Sequence, residues 1–509
     1  MYPRTRAAQT PDKPALVMDD GRVTTYARLE DRSSRVAHAL RDLGVRPGDA
    51  VALLTDNAPE SFEVYWATMR SGFYITAVNH HLKPAEVAYI VDDCGATVLI
   101  ASAGLAELAE AIGDLTPRIA HRFAFGAEVS GHRPYTDLLD ADPLPDDAEQ
   151  PRGSDMLYSS GTTGRPKGVR TAMLPLRVDE PGDPMSSLTQ MLFGVDSDTV
   201  YLSMAPIYHA APLRWCGAVV AWGGTVVMTA SFDAEELLRL VEQHRVTHLQ
   251  VVPTMFVRLL QLPEQVRRRY DLSSLRQAVH AAAPCPPEVK RRMIEWWGPV
   301  LTEYYGSTEG NGFTAITSAE WLTHEGSVGR TLLGVAHVCD DDGRELPAGE
   351  VGTIYFERET LPFRYHGDPE KTAAAQHPEH ETWTAVGDVG YLDDEGYLYL
   401  TDRKAFTIIS GGVNVYPQEI ENVLTLHPAV YDVAVVGLPD DDLGERVAAF
   451  VQVREGVSGD DALAAELIEA VRAELAGFKA PRVVHFVDHL PRTPTGKLVK
   501  RRLVEAHGG

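Results

Sequence analysis

The sequence predicts an α/β protein: a large N-terminal domain of parallel-sheet layers, an antiparallel β subdomain in its last part, and a small α+β domain at the C-terminus. Three observations carry this. Strand and helix patterns alternate through the first 150 residues and return between 225 and 297. Turn signals crowd together from 326 to 400, and a smaller alternation begins after Asp402. Hydrophobic residues make up 44% of the 509, enough for cores in roughly three folding units.

Ala50–Leu54 reads as a buried strand and 59–72 as an amphipathic helix, followed by a strand at 75–78, a helix at 84–92 and a strand at 97–101. Such alternation predicts a parallel sheet covered by helices. The acidic, proline-containing stretch 137–149 reads as a surface loop. The rhythm resumes with a strand at 225–229, the helix Ala234–His244, a strand at 247–252 and the helix Pro287–Trp297.

Farther on, Asp340-Asp341-Asp342-Gly343, Pro347-Ala348-Gly349 and Asp393-Asp394-Glu395-Gly396 punctuate short alternating runs such as 353–356, which predicts antiparallel hairpins. The first of these turns lacks the oxygen spacing of a calcium loop. Strands at 406–410, 429–436, 447–453 and 483–487, with helices at 417–426 and 461–475, complete a compact α+β unit.

Composition narrows the function. Lys and Arg number 47 against 72 Asp and Glu, a formal net charge of −25, which excludes a nucleic-acid binder: phosphate backbones need a basic face. The first residues carry no apolar export segment. The longest apolar run, 216–228, is broken by Gly217, Gly223, Gly224 and Thr225, and is shorter than the roughly 18–20 residues of a membrane span. Cys94, Cys216, Cys285 and Cys339 form no CxxC pair and no zinc spacing. They are expected as small buried apolar side chains in a reduced, cytoplasmic protein.

The densest chemistry lies in Tyr158-Ser159-Ser160-Gly161-Thr162-Thr163-Gly164-Arg165-Pro166-Lys167-Gly168. Glycines let the backbone turn its N–H groups into a cavity, and the hydroxyls with Lys167 suit polyphosphate oxygens. It is not a Walker A loop, because Pro166 stands where that loop needs its second glycine. Further motifs follow in order: Tyr304-Tyr305-Gly306-Ser307-Thr308-Glu309-Gly310, then Gly387-Asp388, then Asp402-Arg403-Lys404 with Ile409-Ser410-Gly411-Gly412, and last Pro491-Arg492-Thr493-Pro494-Thr495-Gly496-Lys497.

Taken together, over nearly the whole chain, these motifs resemble those of the adenylate-forming superfamily of acyl-CoA synthetases, adenylation domains and luciferases. The pattern is most similar to acyl-CoA synthetases of the fatty-acid–CoA ligase kind. The resemblance implies activation of a carboxylic acid by MgATP to acyl-AMP, with pyrophosphate released, and transfer to the thiol of coenzyme A. It divides the chain into an ATP- and acid-binding domain at 1–401, with the antiparallel subdomain at about 326–401, a hinge at 402–405 and a mobile cap at 406–509.

By the same resemblance, Ser159, Ser160, Gly161, Thr162, Thr163, Gly164 and Lys167 hold phosphates. Tyr304, Tyr305, Gly306, Ser307 and Leu400 line the nucleotide, with Tyr305 stacking on adenine. Ala281, Ala282, Ala283 and Pro284 let backbone approach the base. Thr308 bonds the α-phosphate. Glu309 is the magnesium ligand, a hard carboxylate suited to an ion shared with ATP. Asp388 accepts from the ribose hydroxyls and Arg403 adds a charged contact. Lys497 is the adenylation lysine, neutralising charge as the carboxylate attacks phosphorus, and Gly411 and Gly412 admit the pantetheine arm. His209, in Ala205-Pro206-Ile207-Tyr208-His209-Ala210-Ala211-Pro212, lines the acyl pocket.

Arg214 and Trp215, just beyond, are weighed as substrate-site residues against packing, and Tyr208, His209, Trp215 and Phe256 suggest an apolar or aromatic acid. Lys500, Arg501 and Arg502 read as a solvated tail. His80-His81 lacks the remainder of the HHxxxDG acyltransferase motif. Ala405 and Phe406 depart from the family's polar hinge, and Phe406 is expected to pack in the small domain. Three alternatives stay open: a carrier-protein or amine acceptor, activation of an inorganic oxyanion such as nitrite, and a non-catalytic nucleotide-binding relative.

Overall fold

Runs of β-branched and aliphatic residues with no polar alternation become the buried parallel strands of the first unit, as two-sided burial requires. The computed structural model describes residues 2–159, 166–440, 442–492 and 498–508, with the backbone alone at Ser159. It divides into two compact units, Met1–Gln250 with Leu262–Ala278 and Pro362–Thr372, and Val251–Gln261 with Val279–Leu361 and Ala373–Gly509.

In the first unit, one sheet runs in the order Arg364–Tyr365, Lys167–Arg170, Ser154–Ser159, Tyr74–Ala77, Ala50–Leu54, Val98–Ser102, His121–Phe125, Arg133–Pro134. From Ser154–Ser159 to Arg133–Pro134 every pairing is parallel. Lys167–Arg170 turns back antiparallel on Ser154–Ser159, making the hairpin that roots the phosphate-loop sequence. A second set of strands places Val200–Ser203 parallel to Thr225–Met228, which is parallel in turn to Pro14–Met18. Buried Leu54, Tyr74, Val91 and Leu99 typify the core between sheet and helices.

Helix Pro59–Met69 ends earlier than 72, because Gly72 takes a left-handed turn at φ +70°. The apolar run 216–228 is two elements: helix Ala210–Trp222 stops at Gly223, φ +89°, and strand Thr225–Met228 follows. Among the described residues no helix is long and apolar enough to cross a membrane. The 137–149 loop is partly ordered, since Tyr135–Leu139 forms a 3₁₀ turn. Helix Tyr26–Asp42 has no counterpart in the sequence expectation, although Tyr26, Leu29, Val36, Ala37 and Leu40 fall at helical spacing and are buried. The Thr25 hydroxyl caps it by accepting from the Arg28 N–H.

In the second unit the antiparallel expectation holds. Strands run in the order Val335–Cys339, Gly352–Glu357, Asp388–Leu392, Tyr397–Arg403, Ser327–Leu333, Phe313–Thr317, Leu301–Gly306, each antiparallel to its neighbour. The C-terminal segment has its own sheet, in which Val430–Asp440 and Gly444–Val453 form a long hairpin and Val483–Phe486 adds a parallel strand. Both faces are covered. Ile420, Leu424, Leu467 and Val471 pack on one, and Leu503 of helix Lys500–His507 packs on the other. The stretch 406–410 is a strand only from Ile408, after a 3₁₀ turn at Lys404–Phe406.

Candidate nucleotide- and acid-binding site

In the first unit, loops leaving the carboxyl ends of parallel strands gather the polar groups, the usual place for ligands in such sheets. Asn57, just beyond Ala50–Leu54, donates to the carbonyls of Ala205 and Thr229 at 3.1 and 2.9 Å and accepts from the Ile207 N–H at 3.0 Å. These three bonds fix the Ala205–Ile207 backbone, which carries Tyr208 and His209 next. The Tyr208 ring lies 4.4 Å from the His209 ring, tilted by 46°, and meets His80 edge-on at 5.2 Å. Its hydroxyl is buried with no hydrogen-bond partner among the described residues. His80 Nδ1 donates to the Thr55 carbonyl, and burial beside His81 holds the imidazole below its ordinary pKa.

Two neighbours belong to the core instead. Arg214 makes a bidentate pair with Asp155 at 2.7 Å on both arms. Trp215 is fully buried and stacks on Tyr201 at 5.7 Å. In the second unit Phe256 is buried as well, edge-on to His280 and Trp297. These three side chains pack and pair.

At the phosphate-loop hairpin, Tyr158 opposes Gly168 and Ser159 opposes Lys167. Tyr158 donates a 2.5 Å hydrogen bond to Asp93 at the end of helix Pro84–Asp93. A Cβ on Gly168 would stand 3.0 Å from the Tyr158 ring, so the glycine is needed for close approach. The Lys167 ammonium lies 5.1 Å from the centroid of the Tyr365 ring, a cation–π distance. Ser160, Gly161, Thr162, Thr163 and Gly164 lie outside the described residues, as does Lys497.

The second unit brings three predicted residues together. Tyr305 donates to Asp388 Oδ2 at 2.6 Å, and Arg403 Nε sits 3.0 Å from Asp388 Oδ1. Antiparallel register puts Asp388 opposite Arg403. Burial and the facing carboxylate push the Tyr305 phenol well above its ordinary pKa, so it stays a donor. The following turn is tied down: Ser307 bonds Asn311, Asn311 bonds the Thr384 carbonyl, and Arg358 bonds the Gly310 carbonyl. Thr308 is half-buried and Glu309 is buried within that turn. Tyr304, on the opposite face of the strand, stacks on Phe313 at 5.1 Å, and Gly306 is exposed. Leu400 packs against the cluster of Val328, Ile354, Phe356 and Leu398.

Ala282 adopts φ +75°, one of two non-glycine residues in the left-handed region among those described. Ala281 is buried, whereas Ala282 and Pro284 face outward. The strained backbone thus coincides with the segment read as approaching a base. Gly411 and Gly412, at φ +59° and +78°, form the two-residue turn between Ile408–Ser410 and Val413–Val415, with Ser410 opposite Val413. Two positive φ values in a tight hairpin call for Gly-Gly on conformational grounds alone.

The stretch 402–406 is tied down by polar contacts. Asp402 accepts from the N–H groups of Arg403 and Gln418, and burial raises its carboxyl above the usual range against the pull of Lys500. Lys500 pairs with Glu421 at 2.9 Å and sits 5.4 Å from the Phe406 ring. Lys500 is therefore buried, contrary to the solvated-tail reading, because Glu421 and Asp402 supply its partners. Arg501 and Arg502 are exposed as expected, and Phe406 is half-buried beside Lys500 of the C-terminal helix.

No cysteine is poised for catalysis. All four are free, and burial pushes Cys94 and Cys339 up to about 11 and Cys216 to about 12, with Cys285 also raised. Among the described residues no group of three or more His, Cys, Asp or Glu side chains forms a metal cage. A lone Glu309 fits magnesium, which commonly takes one or two carboxylates and completes its shell with phosphates and water.

A family model described as AMP-binding enzyme matches residues 3–365, and one described as AMP-binding enzyme C-terminal domain matches residues 419–497. Feruloyl-CoA synthase from an Amycolatopsis species is 36% identical over 510 residues, covering 98% of this chain and 97% of that protein. The fatty acid–[acyl-carrier-protein] ligase ScoC of Streptomyces coeruleorubidus is 32% identical, covering 99% and 95%. Among solved structures, amide bond synthetase McbA from Marinactinospora thermotolerans superposes with a TM-score of 0.82 at 29% identity, covering 99% of each chain.

Proposed function

The chain belongs to the AMP-binding enzyme family, and on that premise we propose that its site activates a carboxylic acid with ATP and transfers the acyl group to coenzyme A. The reaction is that of an AMP-forming acid–thiol ligase. In the first half, the acid's carboxylate attacks the α-phosphorus and pyrophosphate leaves. In the second, the thiol displaces AMP from acyl-AMP and the thioester is released.

The observation that carries the reading is the convergence of Tyr305 and Arg403 on Asp388. Each carboxylate oxygen has a second lone pair left for a ribose hydroxyl. The Tyr305 hydrogen bond and the Arg403 ion pair orient that carboxylate, so little ordering is left for the moment of binding. Tyr305 presents its ring at the same place, held by its own phenol. Thr308 gives a hydroxyl to the α-phosphate from a turn that Asn311 and Arg358 hold rigid. Lys167 attracts the polyphosphate from the hairpin rooted by Tyr158. Glu309 would hold magnesium, which when bound neutralises phosphate charge. Lys497 supplies the positive charge that grows useful as the carboxylate attacks, an electrostatic role. Gly411 and Gly412 then form the turn toward which the thiol's arm is directed.

The acid is one with an apolar body, aryl or alkyl. Tyr208 and His209 on the loop clamped by Asn57 support this, as do feruloyl-CoA and fatty acid in the names of two similar proteins. A second reading keeps the adenylation and changes the acceptor to an amine or a carrier protein, and the likeness to an amide bond synthetase and to a carrier-protein ligase favours it. We place the enzyme in the cytoplasm on its four free cysteines.

The deciding assay follows pyrophosphate and AMP over an acid panel, with coenzyme A, an amine or a phosphopantetheinyl carrier as acceptor. Pyrophosphate release with AMP formation that needs coenzyme A is expected. AMP formation indifferent to coenzyme A but driven by an amine would replace the leading acceptor. Lys497→Ala should abolish adenylate formation and spare thioester formation from synthetic acyl-AMP; equal loss of both halves refutes its role.

A further inference from the structure

Deep in the second unit lies a charged group that the reaction itself does not use. Lys290 and Glu303 meet at 2.6 Å, with Lys290 at 0% and Glu303 at 5% exposure. His280 is also fully buried. Its Nε2 stands 3.7 Å from the same Glu303 oxygen, beyond hydrogen-bond reach, and neither ring nitrogen has a hydrogen-bond partner among the described residues. The Lys290 ammonium is 4.8 Å from the centroid of the Trp321 ring, and Phe256 meets His280 edge-on. Burial holds His280 neutral, well below its ordinary pKa, and raises Glu303 against the pull of Lys290.

A buried ion pair is weak evidence for stability, because desolvating both charges offsets most of their attraction. Apolar side chains of similar volume would serve packing as well. Its placement supplies a different reason. Glu303 stands two residues before Tyr305 on strand Leu301–Gly306, so strand alternation puts both on one face. His280 ends strand Gln277–His280, two residues before the strained Ala282. Lys290 belongs to helix Pro287–Trp297, which starts three residues after Pro284. The pair therefore ties the helix that follows the Ala281-Ala282-Ala283-Pro284 segment to the strand that carries Tyr305. Strained backbone persists only where its surroundings over-determine it, and this tie does so from below.

We propose that Lys290 and Glu303 are positioning residues for base recognition, fixing the spacing between the Ala281–Pro284 backbone and the Tyr305 ring. The proposal rests on the reading of those two features as the adenine site. It makes base selectivity, rather than the chemical step, the property that depends on the pair.

The test uses the full-length enzyme and the double variant Lys290→Met/Glu303→Leu, which removes both charges at nearly constant volume. Two readouts are taken: the melting shift produced by ATP against ITP without acid, and KM and kcat for each nucleotide by pyrophosphate release. The expected result is a KM for ATP raised about tenfold with kcat within about threefold, and a collapsed preference for ATP over ITP. A folded double variant with wild-type KM and wild-type preference overturns the proposal. Should that variant fail to fold, Lys290→Arg keeps the charge and changes the reach. A raised KM for ATP at unchanged kcat then supports the positioning role, and an unchanged KM and preference overturn it. The melting shift needs no turnover. A wild-type protein that binds ATP over ITP but releases no pyrophosphate counts against the proposed reaction alone.

Discussion

Asp388 receives the Tyr305 phenol on one oxygen and the Arg403 guanidinium on the other, at 2.6 and 3.0 Å. The carboxylate is thus oriented by one hydrogen bond and one ion pair from separate strands. Asp388→Ala removes the proposed ribose acceptor and leaves the Tyr305 phenol and the Arg403 guanidinium without their carboxylate. Its KM for ATP should rise roughly 10- to 100-fold, the range of a charge-assisted hydrogen bond. Tyr305→Phe keeps the ring and loses one orienting bond, so its KM should rise only about fivefold. Initial-rate kinetics with varied ATP read both. An equal effect of the two substitutions would remove the argument that Asp388 itself touches the nucleotide.

Ala282 holds φ +75° with a Cβ, where the left-handed region costs an L-residue about 1–2 kcal/mol. Ala282→Gly releases that strain and adds chain entropy to the unfolded state, a loss of roughly 0.5–1 kcal/mol. The net expectation is a gain of about 0.5–1 kcal/mol in stability, and Ala282→Val should lose at least as much. Denaturant midpoints at constant slope measure it. A glycine variant less stable than the parent would mean that the Ala282 side chain contributes packing that outweighs its strain.

The contrast between motif residues and their supports shows what a linear sequence carries. Tyr305, Asp388 and Arg403 are legible because each stands in a run of unusual composition. Asp93, which anchors Tyr158 from 65 positions away, is an ordinary carboxylate at the end of a helix. Asn57 acts on carbonyls 148 and 172 positions on, and nothing local distinguishes it. Lys290 and Glu303 have no local mark either, since their pairing needs the fold to bring helix and strand together. Trp215 and Phe256 fail in the other direction: an aromatic side chain looks the same in sequence whether it lines a pocket or fills a core. The strands and most helices are legible through burial periodicity. Boundaries slip where a single glycine, such as Gly72, ends an element.

Arg214 pairs with Asp155 through two 2.7 Å bonds, and both side chains are largely shielded. Arg214→Ala leaves a shielded carboxylate uncompensated and should cost about 3 kcal/mol. Arg214→Met/Asp155→Leu, which removes both charges, should recover most of that loss. Relative kcat/KM values over an acid panel should be the same in the double variant as in the parent. A changed acid preference without a stability loss would return Arg214 to the substrate site.

His280 predicts a pH dependence of stability with a definite sign. Its folded pKa is held well below the ordinary 6.5 by burial and by Lys290. As pH falls below about 6.5, the unfolded chain binds a proton that the folded chain refuses, so stability declines toward acid. The contribution of the neutral imidazole is complete above the unfolded pKa and is lost as pH falls toward the folded one. One such proton is worth up to about 1.4 kcal/mol per pH unit. His80, His81, His132, His244, His248 and His485 are shifted the same way, so the parent's slope sums several groups. Glu303 opposes them: its raised carboxyl takes up a proton in the folded state first, which stabilises as pH falls. His280→Leu removes one term and leaves the others. Its plot of unfolding free energy against pH should be flatter than the parent's by about half a proton at pH 6.5, rising to about nine-tenths of a proton at pH 5.5. Parallel slopes for the two proteins would show that His280 takes up its proton in the folded state as readily as in the unfolded chain.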